Sequence, residues 1–317
     1  MDISAYMPGD SAVAAISDDL IAYNRERLGA YGKVRWRRPV FLTLFFVVVL
    51  FALFVAFGIV ANGGSGIPFG IVVVAGSIGF FYVNDWTKSP ATRLQQSFRD
   101  HLIPRVFGFI DGVTYRYKAV PPSFAGMPAA AFERFNRYAF EDMISGTRNG
   151  LAFEVFEATL TYKVGKNTSM SFKGLVLAFG IDKPFPGAVV AAKVVGSVHR
   201  FMRDLFGKGG MQQVKSGDAA LDETYEFRSD NEAAAAALIS SGLARALDDL
   251  QSAWPEQPAR IAISGGYGYV ILPTARNFFE LPAIAVDCDY GQHIRPMISD
   301  LGTLLAIAEE VKAAVDR

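Results

Sequence analysis

From Pro39 to Asn84 the chain carries no charged side chain, and one flexible polar run, Asn62-Gly63-Gly64-Ser65-Gly66, splits that stretch in two. The first part, Pro39 to Ala61, is almost wholly Phe, Leu, Val and Ile. As a helix it is about 35 Å long, enough to cross a bilayer core of about 30 Å. The second part, Ile67 to Val83, lies at the short end of what can span. So brief a connection makes the two helices antiparallel neighbours, and the sequence predicts a transmembrane hairpin. The length of the apolar run argues against a buried hairpin in a soluble core. Its distance from Met1 and the second span argue against a cleaved signal.

The flanks orient the hairpin. Lys33, Arg35, Arg37 and Arg38 precede the first span, Lys88, Arg93 and Arg99 follow the second, and the connecting run is uncharged. Positive residues stay on the cytoplasmic side, so both termini are expected there and the Gly-rich tip faces outward. Trp36, Trp86 and Tyr82 mark the cytoplasmic interface. Neither span holds an ionisable residue, so a proton or ion path has no carrier and the hairpin reads as an anchor. Gly70, Gly76 and Gly79 allow close helix contact or self-association.

Charge is level, with 31 basic and 31 acidic residues, which gives no nucleic-acid footprint. The single cysteine, Cys288, excludes a disulfide framework and any multi-cysteine metal site. No cofactor is expected.

Residues 1–38 read as an amphipathic helical segment capped by Ser11, with Val13, Ile16, Leu20 and Tyr23 on one face. The hairpin occupies 39–84. Residues 85–128 form a juxtamembrane helix, opened by Ser89-Pro90 and carrying Leu94, Phe98 and Leu102 on one face, and then a Pro- and Gly-rich linker. From 129 to 317 the chain reads as a single α+β domain. It would begin with a short helix at 129–137. Strands at 138–144, 151–164 and 169–179 follow, joined by tight turns, the first an Asn149-Gly150 hairpin. A strand at 223–228 and an Ala-rich helix at 231–252 come next. A hairpin turning at Gly265-Gly266 (261–264 and 267–273) and a helix at 294–315 complete the domain.

Several short segments occur in a definite order: Glu141-Asp142-Met143-Ile144-Ser145-Gly146, Phe153 to Glu157, Phe172-Lys173-Gly174-Leu175 and Pro184-Phe185-Pro186-Gly187. Tyr225-Glu226-Phe227-Arg228-Ser229-Asp230, Glu232-Ala233, Leu238 and Asn277-Phe278-Phe279-Glu280 follow. This order resembles the bacterial membrane family known as domain of unknown function 3137, over about residues 90–317. The resemblance implies a two-span anchor before a cytoplasmic α+β domain in the bacterial inner membrane. It brings no catalytic residues with it.

Each cluster of chemical interest has a plain structural reading beside it. Asp287, Cys288, Asp289 and His293 form the densest polar group, yet two aspartates raise a thiol's pKa and the spacing fits no zinc pattern; a polar turn is expected. Gly265-Gly266-Tyr267-Gly268 runs into strand rather than helix, which does not suit a phosphate loop. Glu141, Asp142, Glu154 and Glu157 are expected to be solvated strand residues, with Glu154 and Glu157 on opposite faces. Arg93 and Arg99 beside the span, and His199, Arg200, Arg203 and Lys208 in a basic aromatic segment, are candidate contacts with anionic lipid. The expectation is a membrane-anchored cytoplasmic binding or scaffolding module whose partners are lipid and a protein at the cytoplasmic face. The alternatives are an enzyme at that face and an accessory subunit of a transporter or channel.

Overall fold

A computed structural model describes residues 2–194, 210–256 and 258–317. The fold is α+β: two long apolar helices come first, then an antiparallel sheet with helices. The chain divides into two compact units, one of residues 14–103 with 281–293, the other of residues 2–13, 104–280 and 294–317.

The helical unit is built on α1 (Asp10–Ala61) and α2 (Ile67–Ser97). The helix expected over the first 38 residues and the first span are one element. Pro39 lies inside it, and Ser11 lies past its start rather than capping it. Likewise α2 runs through Pro90, continues as a π turn at Phe98–Leu102 and ends in α3 (Ile103–Val106). An internal proline removes one backbone bond and crowds the preceding turn, costing about 3 kcal/mol, and helices of this length absorb that loss. Both helices are long and apolar enough to cross a membrane. Their apolar windows are 6% and 0% buried, whereas the core helix of a soluble domain would be mostly buried. Between the helices, Gly76 faces Val49 and Gly79 faces Phe45, while Gly70 meets open space. Two of the three glycines therefore serve contact within the hairpin. The expected face of Leu94, Phe98 and Leu102 is buried, as is the α1 stripe of Ile16, Leu20 and Tyr23.

Among the described residues the other unit holds a seven-stranded sheet. In chain order its strands are β1 (Asp111–Tyr117), β2 (Arg137–Arg148), β3 (Leu151–Val164), β4 (Asn167–Lys193), β5 (Gln212–Val214), β6 (Tyr225–Ser229) and β7 (Arg260–Pro273). In space they run β1-β2-β3-β4-β6-β5, and β7 also pairs with β4. Strand β1 pairs with β2, and residues 104–128 belong to the same compact unit as the sheet. The expected helix at 129–137 is only a three-residue turn, Ala129–Ala131. The β2–β3 hairpin turns on Asn149 and Gly150, both at positive φ, as its dipeptide predicts.

The expected second hairpin at Gly265-Gly266 is instead one strand, β7, antiparallel to β4 from Arg260 to Pro273. Gly265, at φ +55°, sits where the register shifts opposite the bend in β4. The extra residue of a bulge exchanges the faces. Ala262 on one side of it, and Tyr269 and Ile271 on the other, accordingly reach the same core. That core joins them to Phe132, Phe140, Phe156, Phe172 and Val176 beneath the connecting segment 119–135. Side chains of the opposite face, such as Leu177, Ile263 and Val270, are also buried. There α7 (Arg295–Val315) packs on β4 and β7 and buries Leu301, Leu304, Leu305 and Val311. Short α4 (Ala219–Thr224), α5 (Glu232–Leu238, N-capped by Asn231) and α6 (Ala244–Ala253) complete the unit. The Ala-rich helix is broken by a π turn at Ile239–Leu243, where Gly242 leaves helical geometry.

Candidate functional site

The carboxylates expected on the solvated surface are buried or engaged, and two of them, Glu154 and Glu157, hold irregular backbone. Asp142 is fully buried and accepts a hydrogen bond from the Tyr115 hydroxyl on β1. Glu154 accepts from Ser123 through its N–H (3.1 Å) and its hydroxyl (2.6 Å), and Ser123 O accepts from Tyr269 (3.0 Å). Glu157, on the opposite face of β3 as strand alternation requires, is 8% exposed and accepts the N–H groups of Phe278 and Phe279. Asn277 donates to Glu141 (3.4 Å), and Thr274 N–H donates to Lys173 O (2.9 Å). The 274–279 segment is thus stitched to β2, β3 and β4. Burial pushes the Glu157 carboxyl up to about 7, opposed by the Phe278 N–H and reinforced by the charge of Asp142.

A second set of sequence-distant motifs meets at the bend of β4. Asp230 accepts from Ala188 N–H (2.7 Å), Ser229 donates to Ala188 O (2.7 Å), and Asn231 donates to Pro186 O (2.7 Å). Glu226 and Arg228 form a half-buried ion pair at 2.5 Å. The short motifs singled out in the sequence are therefore the points where this sheet fastens its loops.

The cleft beside Glu157, lined by Glu141, Thr159, Lys173, Arg276 and Asn277, has about 40 Å³, room for a few waters. Next to it a larger cleft of about 150 Å³ lies among Leu175, Trp254, Leu272 and Phe278, edged by the Arg276–Asp300 pair at 3.5 Å.

In the helical unit, Asp287, Cys288, Asp289 and His293 form a tied-down turn. Asn24 donates to Cys288 O (2.8 Å) and accepts from Cys288 N–H (2.9 Å). Buried Arg27 donates to Ile284 O (2.7 Å) and pairs with Asp287. His293 accepts from Asp289 N–H (3.0 Å). Cys288 is 1% exposed, and burial pushes its thiol up to about 12. Among the described residues no acidic, His and Cys side chains gather as a metal site. Asn24 and Arg27 were missed in the sequence, although Arg27 continues the stripe Ile16, Leu20, Tyr23 at four-residue spacing. If Asn24 holds this turn, Asn24→Ala should raise maleimide labelling of Cys288 at pH 8 at least about tenfold, by exposing a thiol that then ionises near its ordinary value. An unchanged labelling rate would remove Asn24 from that role.

Arg93 is exposed on α2 and Arg99 half-buried in the π turn. His199, Arg200, Arg203 and Lys208 lie outside the described residues.

Residues 170–313 match the sequence model of a family described as protein of unknown function, DUF3137. No curated protein matches the chain. Among solved structures, the crystal structure of the mycobacterial trehalose monomycolate transport factor A, TtfA, is similar over 62% of this chain and 88% of that one. Its identity is 11% and its TM-score 0.32, a likeness too distant to carry any argument.

Proposed function

We propose that this chain, whose residues 170–313 match the sequence model of the DUF3137 family, anchors a cytoplasmic binding or scaffolding module in the bacterial inner membrane. The observation that carries the proposal is the pair of long apolar helices whose spanning windows are almost wholly unburied. Orientation draws on two supports. The hairpin's flanks hold Lys33, Arg35, Arg37, Arg38, Lys88 and Arg93, against an uncharged tip. Residues 2–13 also fold into the same compact unit as residues 104–280, which supports a topology with both ends of the hairpin on one side of the bilayer. The clefts of about 40 and 150 Å³ in the sheet unit fall below the roughly 300–1,000 Å³ of small-molecule sites, which favours a macromolecular partner.

The test is affinity isolation of the intact protein in native-lipid discs, with mass spectrometry of what is retained. A stoichiometric protein that disappears when residues 104–317 are removed is the expected result. Retention of that protein by the hairpin alone would move the binding role to the spans, in keeping with an accessory subunit of a transporter or channel. A second reading, an enzyme at the same face, draws on Glu157, a buried carboxyl titrating near 7 beside Lys173 and Arg276. It requires loss of a complementing phenotype in Glu157→Gln with the fold intact.

A further inference from the structure

Between α1 and α2, at the end away from the Gly-rich tip, runs a groove of about 520 Å³. It is large enough for a small-molecule headgroup. Its walls follow helical spacing: Glu26, Lys33 and Arg37 on α1, and Pro90, Arg93 and Ser97 on α2. Gly29 and Ala30 leave the space between them open. Three cations therefore face one carboxylate. The Arg37 guanidinium lies 5.0 Å from the ring centroid of Trp86, which in turn packs edge-on against Phe41 at 4.6 Å. That stack holds one cation of the groove against an aromatic group of the kind that sits at a membrane interface.

Depth selects the occupant. At 1.5 Å per residue, Lys33 lies about 5 Å beyond Trp36 along α1, and Arg93 about 10 Å beyond Trp86 along α2. The headgroup layer is about 5–8 Å thick on each side of the hydrocarbon core. The backbone of Lys33 and Arg37 thus falls within it and that of Arg93 a few ångströms, about 2–5 Å, beyond it. The exposed apolar flanks of the spans, with Val40 and Leu44 at 42% and 56%, continue directly from the groove. We propose that this groove seats the phosphate headgroup of an anionic phospholipid from the cytoplasmic leaflet, its acyl chains lying along the spans. A lipid already held in the bilayer reaches the cations at high effective concentration, whereas free phosphate must compete with bulk salt. The proposal rests on the membrane reading above and gives that anchor a lipid preference.

The experiment is native mass spectrometry of the full-length protein titrated with dioleoyl phosphatidylglycerol and, separately, dioleoyl phosphatidylcholine. The phosphatidylglycerol is expected to bind at least about tenfold tighter. Lys33→Gln/Arg93→Gln removes two groove cations and keeps the Arg37–Trp86 stack. It should lose most of that preference, since each surface cation contributes about fivefold. Arg35→Gln/Arg38→Gln removes the same charge from the flank of the first span, outside the groove, and should keep the preference. Equal loss in both variants, or in neither, overturns the site. Displacement of the bound lipid by millimolar glycerol phosphate overturns the lipid as its occupant. Carbonate extraction of membranes separates the two levels of failure. A chain that is extracted defeats the anchor itself, while one that resists extraction yet shows no lipid preference defeats only the groove.

Discussion

Glu157→Gln is expected to flatten the pH dependence of the sheet unit's stability between about pH 4.5 and 7. In the folded protein burial raises this carboxyl from 4.5 to about 7. Below pH 4.5 it is protonated whether the chain is folded or unfolded, and stability is full. Between 4.5 and 7 the unfolded chain gives up the proton first, so stability falls as pH rises; above 7 both states are ionised and the slope vanishes. At 1.36 kcal/mol per pH unit the fall approaches about 3 kcal/mol. In a unit of this size that is about 6–12 °C in Tm. Glutamine keeps an oxygen for the Phe278 and Phe279 N–H groups and cannot ionise. The variant should therefore melt above the wild type at pH 8 and close to it at pH 4.5. Thermal unfolding across pH in detergent checks this, and parallel profiles for the two proteins would contradict it.

Gly174→Ala should be the most damaging single added methyl among the described glycines. A Cβ at Gly174 would overlap the carbonyl oxygen of Leu272 and lie 2.9 Å from Thr274 N. The first is a backbone atom of the partner β7 and the second belongs to the residue just after it, whose N–H is committed to Lys173 O. No side chain can swing aside, so the β4–β7 ladder must open where the 274–279 segment is fastened. A loss of at least about 3 kcal/mol is expected, or about 6–12 °C in Tm. Gly180→Ala, on the same strand but with open space around it, is the control and should change Tm little. Similar melting of the two variants would show that the close approach at Gly174 does not limit stability.

Local chemistry with one dominant outcome was legible in the sequence. The uncharged run of 46 residues set the hairpin, the Asn149-Gly150 pair set the first β-turn, and strand alternation put Glu154 and Glu157 on opposite faces. Rules that a neighbour can overrule misled. Pro39 and Pro90 read as helix boundaries, yet each costs one bond in a helix with dozens. Gly265-Gly266 read as a hairpin turn, but whether two glycines reverse a strand or bulge it depends on the partner, and β4 bends opposite them. The carboxylates looked solvated because their partners are backbone N–H groups up to about 120 residues away, which no local pattern reveals. The groove between α1 and α2 escaped notice for the same reason: Lys33 and Arg93 are neighbours only once the hairpin has closed.

Tyr6 is buried in the sheet unit against α7, where a side chain at Gly302 would come within 3.2 Å of the tyrosine's Cβ. The two residues are about 300 positions apart, so at translation rates of about 5–20 residues per second the tyrosine exists for roughly 15–60 s before its seat is made. The apolar hairpin leaves the ribosome early in that interval, while the first residues are still undocked. On the proposed membrane anchoring, insertion comes first in the assembly order, and closure of the sheet unit around residues 2–13 comes last.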